Sequence, residues 1–230
     1  MVERLVKWQM RRDLRRAFRR VAWAGPPPAL PEGAPVVLYA NHQHFYDGHL
    51  LQVLLTERLE RPGTVWMEDW DRFPFFAAVG AQPFPPGEGD EARARRRTTV
   101  RRTARRLRET PQTVLVHFPE GRLHPPREDV LPFPEGAFST LAHLFPDRTR
   151  WWPVALRVAP TTAARPTALL AGGQPHATPD GRERKRLRAV RQRLADVRPG
   201  EATHTLLGGR RGPDERWDLS WMAPFFERYL

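Results

Sequence analysis

The sequence predicts an α/β domain whose largely parallel or mixed central sheet is flanked by helices. Three observations predict it: short apolar runs suited to buried strands, helical patterns alternating with them, and 230 residues at 40% hydrophobic content, enough to enclose a core. The strand candidates are Val36 to Ala40, Thr64 to Met67, Ala81 to Phe84, Val114 to Phe118, Trp152 to Val158 and Thr167 to Ala171. Continuous apolar runs of this kind suit strands covered on both faces. Residues 50–59, 90–109, 135–145 and 181–197 carry the intervening helical patterns. No solenoid-like internal repeat interrupts this alternation.

Residues 1–24 read as a basic amphipathic helix. Val6, Met10, Leu14, Phe18 and Val21 form its apolar stripe, and Arg4, Lys7, Arg11, Arg12, Arg15, Arg16, Arg19 and Arg20 surround it against only Glu3 and Asp13. This is the pattern of a helix lying on an anionic membrane surface, and an ordinary helix packed on its own domain carries the same stripe. Residues 25–35, GPPPALPEGAP, read as a stiff connector, because proline locks φ and lacks an N–H donor. The α/β domain is then expected over 36–230. Its tail from Arg216, with Trp217, Trp221, Phe225, Phe226 and Tyr229, reads as an aromatic-rich helix that caps the core.

The charge balance of 38 Lys plus Arg against 26 Asp plus Glu gives +12, which implies an anionic partner: a phosphate, an anionic lipid surface or nucleic acid. Lys7 and Lys185 are the only lysines, so the charge is carried by arginine. The basic runs 93–108 and 182–198 lack the interleaved aromatics of a nucleic-acid stacking platform, so nucleic acid is not the expected partner. Absence of cysteine excludes a disulfide scaffold, a thiol nucleophile and sulfur-ligated zinc. No apolar window approaches the roughly 20 residues that span a bilayer. Nor does the N-terminus show a secretory pattern, so the expected address is cytoplasmic, peripheral on the inner face of the cell membrane.

Two segments can carry chemistry. The first is Asn41-His42-Gln43-His44-Phe45-Tyr46-Asp47, where a buried strand gives way to a helix. Ligand sites in open α/β sheets lie at such strand ends. His42 can take a proton from an attacking hydroxyl, and Asp47 can fix its tautomer and steady the imidazolium. On a continuous helix the two would face about 140° apart, so their contact requires a turn first. A rival reading takes His42, His44, Asp47 and His49 as ligands of a metal-dependent hydrolase, with His117, His124, His143, His176 and His204 available for recruitment. Its H-x-H-x-x-D-x-H spacing is one residue longer than the H-x-H-x-D-H of metallo-β-lactamase-like hydrolases.

The second segment is His117-Phe118-Pro119-Glu120-Gly121-Arg122, again at a strand end. Glycine permits close approach of backbone to a ligand, and the arginine offers a planar fork for phosphate. Pro-Glu-Gly alone carries little weight, since it recurs at Pro134 to Gly136.

Together, N-H-x-x-x-x-D followed by F-P-E-G resembles the glycerolipid acyltransferases, the family of lysophosphatidic acid acyltransferase. Leu131 to Phe138, with Gly-Ala opening a helix, Trp152-Pro153-Val154-Ala155-Leu156 and Gly173-Gln174-Pro175 are similar to later stretches of that family, so the resemblance spans about Val36 to Pro175. It implies an α/β acyltransferase fold and no cofactor beyond acyl-CoA or acyl-carrier-protein as co-substrate. It implies a lysophospholipid or related alcohol as acceptor and an anionic membrane as partner. Carried over, His42 is the general base and Asp47 its orienting carboxylate. Phe118, Pro119, Glu120, Gly121 and Arg122 shape the acceptor site, and no covalent enzyme intermediate or metal is called for.

The sequence departs from the family in two places. The family usually continues F-P-E-G with Thr-Arg, whereas Arg122-Leu123-His124 stands here, and Gly80 to Pro86 lacks the family's Asp-Arg. Either Arg122 with one of Arg93, Arg95 or Arg96 reads the acceptor phosphate, or the acceptor is another lipid alcohol. A non-catalytic basic lipid- or nucleic-acid-binding protein is the reading from a different class. Trp66, Trp70, Phe73, Phe75 and Phe76 suit either an acyl-chain groove or the core.

Overall fold

A computed structural model describes residues 1–26, 29–202, 204–212 and 220–222. In chain order it runs α1 (Val2–Ala17), β1 (Arg20–Trp23), β2 (Val36–Ala40), α2 (Asp47–Leu54), β3 (Gly63–Met67), β4 (Ala81–Pro83), α3 (Asp90–Glu109) and β5 (Val114–His117). It continues with α4 (Ala137–Leu144), β6 (Arg150–Ala159), β7 (Thr167–Gly172), α5 (Glu183–Asp196) and β8 (His204–Gly208). A single sheet has the order β4-β3-β5-β2-β6-β7-β1-β8. Strands β4, β3, β5, β2 and β6 are parallel neighbours, β7 pairs antiparallel with β6, β1 pairs parallel with β7, and β8 closes the edge antiparallel to β1. The sheet is therefore mixed, and every strand read from the apolar runs is present within one or two residues.

Both faces are covered, which is why the central strands read as unbroken apolar runs. Along β2, Val36, Leu38 and Ala40 enter one core with Leu50, Leu51 and Leu54 of α2 and Leu14 of α1. Val37 and Tyr39 enter the other with Leu107 of α3, Phe138 of α4 and Leu187 of α5. The period of two along a strand sorts alternate side chains to the two layers.

The N-terminal segment departs from the single helix expected over residues 1–24. The helix stops at Ala17, Phe18 adopts extended φ/ψ, and residues 20–23 form β1 between β7 and β8. Its reason is tertiary: Val21 and Trp23 fill one core while Ala22 fills the other, so pairing with distant strands outweighs continuation of the helix. Residues 25–35 accordingly join two strands of one sheet. The stripe of α1 also turns inward, burying Val6, Met10, Leu14 and Phe18 against α2 and the short 3-10 helix Pro74–Val79. Each such burial contributes about 1.5–3 kcal/mol, so the stripe is a structural contact and is closed to a membrane. The apolar residues that α1 leaves exposed are others: Met1, Val2, Leu5 and Trp8.

Strand β8, a short edge strand, has no counterpart in the apolar runs. Among the described residues no helix is long and apolar enough to cross a membrane. Of the aromatic tail, Trp217, Phe225, Phe226 and Tyr229 lie outside the described residues, while Trp221, in the 3-10 turn Ser220–Met222, is exposed.

Two histidines are half-buried on opposite faces of the sheet. His117 sits between Trp66 and Phe138, and His49 among Tyr46, Phe45 and Phe76; burial pushes both down to about 4 from an ordinary 6.5. The unfolded chain therefore binds protons more readily than the folded one between these values. Stability should be full above pH 6.5 and fall as the pH drops toward 4, by on the order of 3 kcal/mol for each histidine. Urea midpoints at pH 7 and pH 4.5 check this, and His117→Leu should flatten the acid limb.

Candidate active site

Strand β2 ends at Ala40, and the chain turns before α2 begins at Asp47. Asn41 makes this turn part of the sheet. Its buried side chain accepts from Leu156 N–H at 2.8 Å and donates to Leu156 C=O at 3.0 Å, continuing the β2–β6 ladder one step past the strand. His42 is thus presented from a fixed point, consistent with a structural role for Asn41.

The turn brings His42 and Asp47 together. Asp47 Oδ2 accepts from Gln43 N–H at 2.7 Å and His44 N–H at 2.8 Å, and it stands 3.1 Å from His42 Nδ1. An oxygen that accepts two backbone N–H groups takes the imidazole Nδ1–H as a third donor, which sets the tautomer with Nε2 as the lone-pair nitrogen. Nε2 has no hydrogen-bond partner among the described residues. The ring stacks on Phe118, from the end of β5, with centroids 4.3 Å apart, and the His42 side chain keeps 26% of its surface exposed. Asp47 is only 2% exposed, so water does not compete for its contacts.

Glu120 holds the same turn from the other side. Its side chain is fully buried, and Oε2 accepts from His42 N–H at 2.6 Å, while Oε1 accepts from Leu131 N–H at 2.8 Å and lies 2.9 Å from His124 Nε2. His124 N–H donates to His42 C=O at 3.2 Å, so both backbone polar groups of His42 are held by the segment 120–124. Pro119 is buried too. Of the five residues expected to shape an acceptor site, Phe118, Gly121 and Arg122 are accessible, whereas Glu120 acts through the backbone of His42. Sequence reasoning named His124 only as a recruitable ligand; its signal as a positioning residue is the four-residue spacing from Glu120.

Arg122 is exposed and makes no hydrogen bond or ion pair among the described residues. The other arginines considered for phosphate are engaged: Arg95 grips Asp71 with two bonds of 2.8 Å, Arg96 donates to the carbonyls of Pro85 and Gly87, and Arg93 lies beside Glu88 and Asp90. Gly136 adopts φ +67° just before α4, which is the Gly-Ala helix opening read in the sequence.

The metal-ligand pattern disperses. His44 packs its ring on Phe18 and Tyr46 and His49 lies in its aromatic cluster, and among the described residues no group of three or more His, Asp and Glu can hold an ion. The five aromatics suggested for one groove also separate. Trp66 stacks on Phe84 and donates to Thr103 on the α3 side, whereas Phe73, Phe75 and Phe76 gather beside His49 on the α2 side.

Removing the Glu120 carboxylate orphans two backbone N–H groups, each worth roughly 1–3 kcal/mol when left buried and unpaired. Glu120→Ala should therefore destabilise the protein by several kcal/mol, and Glu120→Gln, which keeps one acceptor oxygen, by less. Thermal unfolding of the two variants beside the parent measures the difference.

The family model described as Acyltransferase matches residues 27–157, more than half of the chain and including both motif segments. No curated protein sequence matches. Among solved structures, the chain is similar to the crystal structure of the 1-acyl-sn-glycerophosphate (LPA) acyltransferase, PlsC, from Thermotoga maritima. The TM-score is 0.59 at 16% identity, covering 84% of this chain and 78% of that one, which is a likeness of fold.

Proposed function

The chain belongs to the acyltransferase family, and we propose that it moves a fatty acyl group from acyl-CoA or acyl-carrier-protein to the hydroxyl of a lysophospholipid, lysophosphatidic acid giving phosphatidic acid. The observation that carries this reading is the His42–Asp47 pair, with Nδ1 committed to a buried carboxylate and Nε2 open at a strand end. In this reaction the acceptor hydroxyl attacks the thioester carbonyl while Nε2 removes its proton. The tetrahedral intermediate collapses, the C–S bond breaks, and the imidazolium returns the proton to the departing thiolate. Asp47 steadies the imidazolium between the two steps, and no enzyme-bound acyl group forms.

Arg122, exposed and unengaged beside the site, is the candidate reader of the acceptor phosphate through its planar fork. Because Arg93, Arg95 and Arg96 are occupied, one arginine carries this task alone, which also leaves room for a different lipid alcohol. The surface of α1 supports a further part of the reading, peripheral attachment to the inner face of an anionic membrane. Val2, Leu5 and Trp8 project among Arg4, Lys7, Arg11 and Arg12, and exposed Phe75 lies on the 3-10 helix against which α1 packs.

Two experiments test the reading. Purified protein with acyl-CoA or acyl-carrier-protein and a panel of lysolipids should transfer acyl groups, and His42→Ala should lower kcat by about 10²–10⁴ while unfolding like the parent. Arg122→Ala should raise KM for phosphate-bearing acceptors more than for neutral ones. An inactive parent across the panel, with lipid or nucleic-acid binding unchanged in His42→Ala, would favour the binding-protein reading. Separately, Leu5→Glu/Trp8→Glu should abolish flotation with anionic vesicles and leave transfer to a water-soluble short-chain acceptor unchanged.

A further inference from the structure

A cluster of arginines lies away from Arg122, beside the sheet edge made by β7, β1 and β8. An open cavity of about 530 Å³ is lined by Arg16, Arg165, Arg210 and Arg211. A contiguous one of about 520 Å³ shares Arg210 and Arg211 and adds Arg19 and Arg20. Neither has an Asp or Glu in its lining among the described residues.

Backbone contacts build this arrangement. Gly209 N–H donates to Arg19 C=O at 2.8 Å and Arg210 N–H to Arg15 C=O at 2.9 Å. A Cβ on Gly209 would stand 1.9 Å from the carbonyl oxygen of Phe18, so only glycine lets the chain leaving β8 run against the end of α1. That close approach sets Arg210 and Arg211 beside Arg16. Arg165 closes the floor, its guanidinium donating to the carbonyls of Arg210 at 3.0 Å and Arg15 at 3.4 Å. The C-terminal dipole of α1 accounts for basic residues in its own last turn, Arg15 and Arg16, but not for two more brought from β8. Arg16, Arg210 and Arg211 make no side-chain hydrogen bond or ion pair among the described residues.

We propose that this arginine-lined cavity is a second anion site that binds clustered phosphate groups. Several planar forks facing one space match adjacent phosphates, whose oxygens each accept paired N–H donors. No aromatic side chain lines it among the described residues, which favours recognition of phosphates over stacking of a nucleobase. It lies at the same end of the sheet as His42. Strand β1 begins here, and Phe18, next to Arg19, packs its ring 5.7 Å from His44 of the site turn. Two sources carry such phosphates to that mouth: the nucleotide end of a coenzyme A thioester and the headgroups of an anionic bilayer. Phosphate binding itself does not rest on the acyl-transfer reading, so the two can fail separately.

Calorimetric titration with pyrophosphate and with coenzyme A, and flotation with phosphatidylglycerol vesicles, test it on the full chain. Arg16→Gln/Arg211→Gln changes two exposed side chains that make no side-chain hydrogen bond or ion pair among the described residues. It should weaken binding of pyrophosphate, and of coenzyme A or vesicles, at least tenfold, while Arg101→Gln/Arg102→Gln, an equal charge loss on exposed α3, and His42→Ala should not. Selective loss for coenzyme A identifies the nucleotide source, and selective loss for vesicles identifies the headgroup. Equal weakening by the α3 control, or no pyrophosphate binding by the parent, overturns the site.

Discussion

Asp47 Oδ2 accepts the N–H groups of Gln43 and His44 and the Nδ1–H of His42, and these three bonds convert the end of a strand into a site. Without them nothing local would hold residues five apart in contact, because neither a strand nor a helix faces them toward each other. Asp47 opens α2, so its carboxylate also lies where the first turn of a helix favours negative charge. Burial keeps the interaction in a low-dielectric setting, where a hydrogen bond to a charged group contributes more than it would in water. The orientation of His42, the openness of Nε2 and the stacking on Phe118 all follow from that anchor.

The opposite wall of the site rests on residues that carry no chemistry themselves. Glu120 reaches across seventy-eight residues of sequence to the backbone of His42, and His124 closes the loop by donating to the carbonyl of the same residue. Asn41 joins the turn to β6 from beneath. The His42 imidazole is thereby positioned by its backbone as well as by its ring, and in the proposed reaction this limits the misplacement that costs rate when reacting groups are held loosely.

The N-terminal segment shows how one apolar pattern serves two physical ends. Its helical stripe has the period of a membrane-lying helix, yet it packs inward because the chain immediately after it becomes a strand of the sheet. The exposed apolar residues Val2, Leu5 and Trp8 of α1 lie outside the stripe. The same geometry brings Arg16 against Arg210 and Arg211. A basic surface that composition alone shows as diffuse charge thereby becomes a shaped cavity.

The strands and helices between Val36 and Asp196, and the pairing of His42 with Asp47 across a turn, were determined by the sequence itself. Both depend on local properties: apolar runs long enough to be buried on two faces, and a short polar turn between strand and helix. Strands β1 and β8, the inward packing of α1, the burial of Glu120 with His124, the separation of Trp66 from Phe76 and the arginine cavity were decided only by the tertiary structure. Each depends on contact between residues distant in the chain, such as Arg20 with Thr167, His42 with Glu120 and Gly209 with Phe18. The residues of β1 continue a helical stripe and those of β8 form no apolar run, so their partners, and not their own residues, select their conformation.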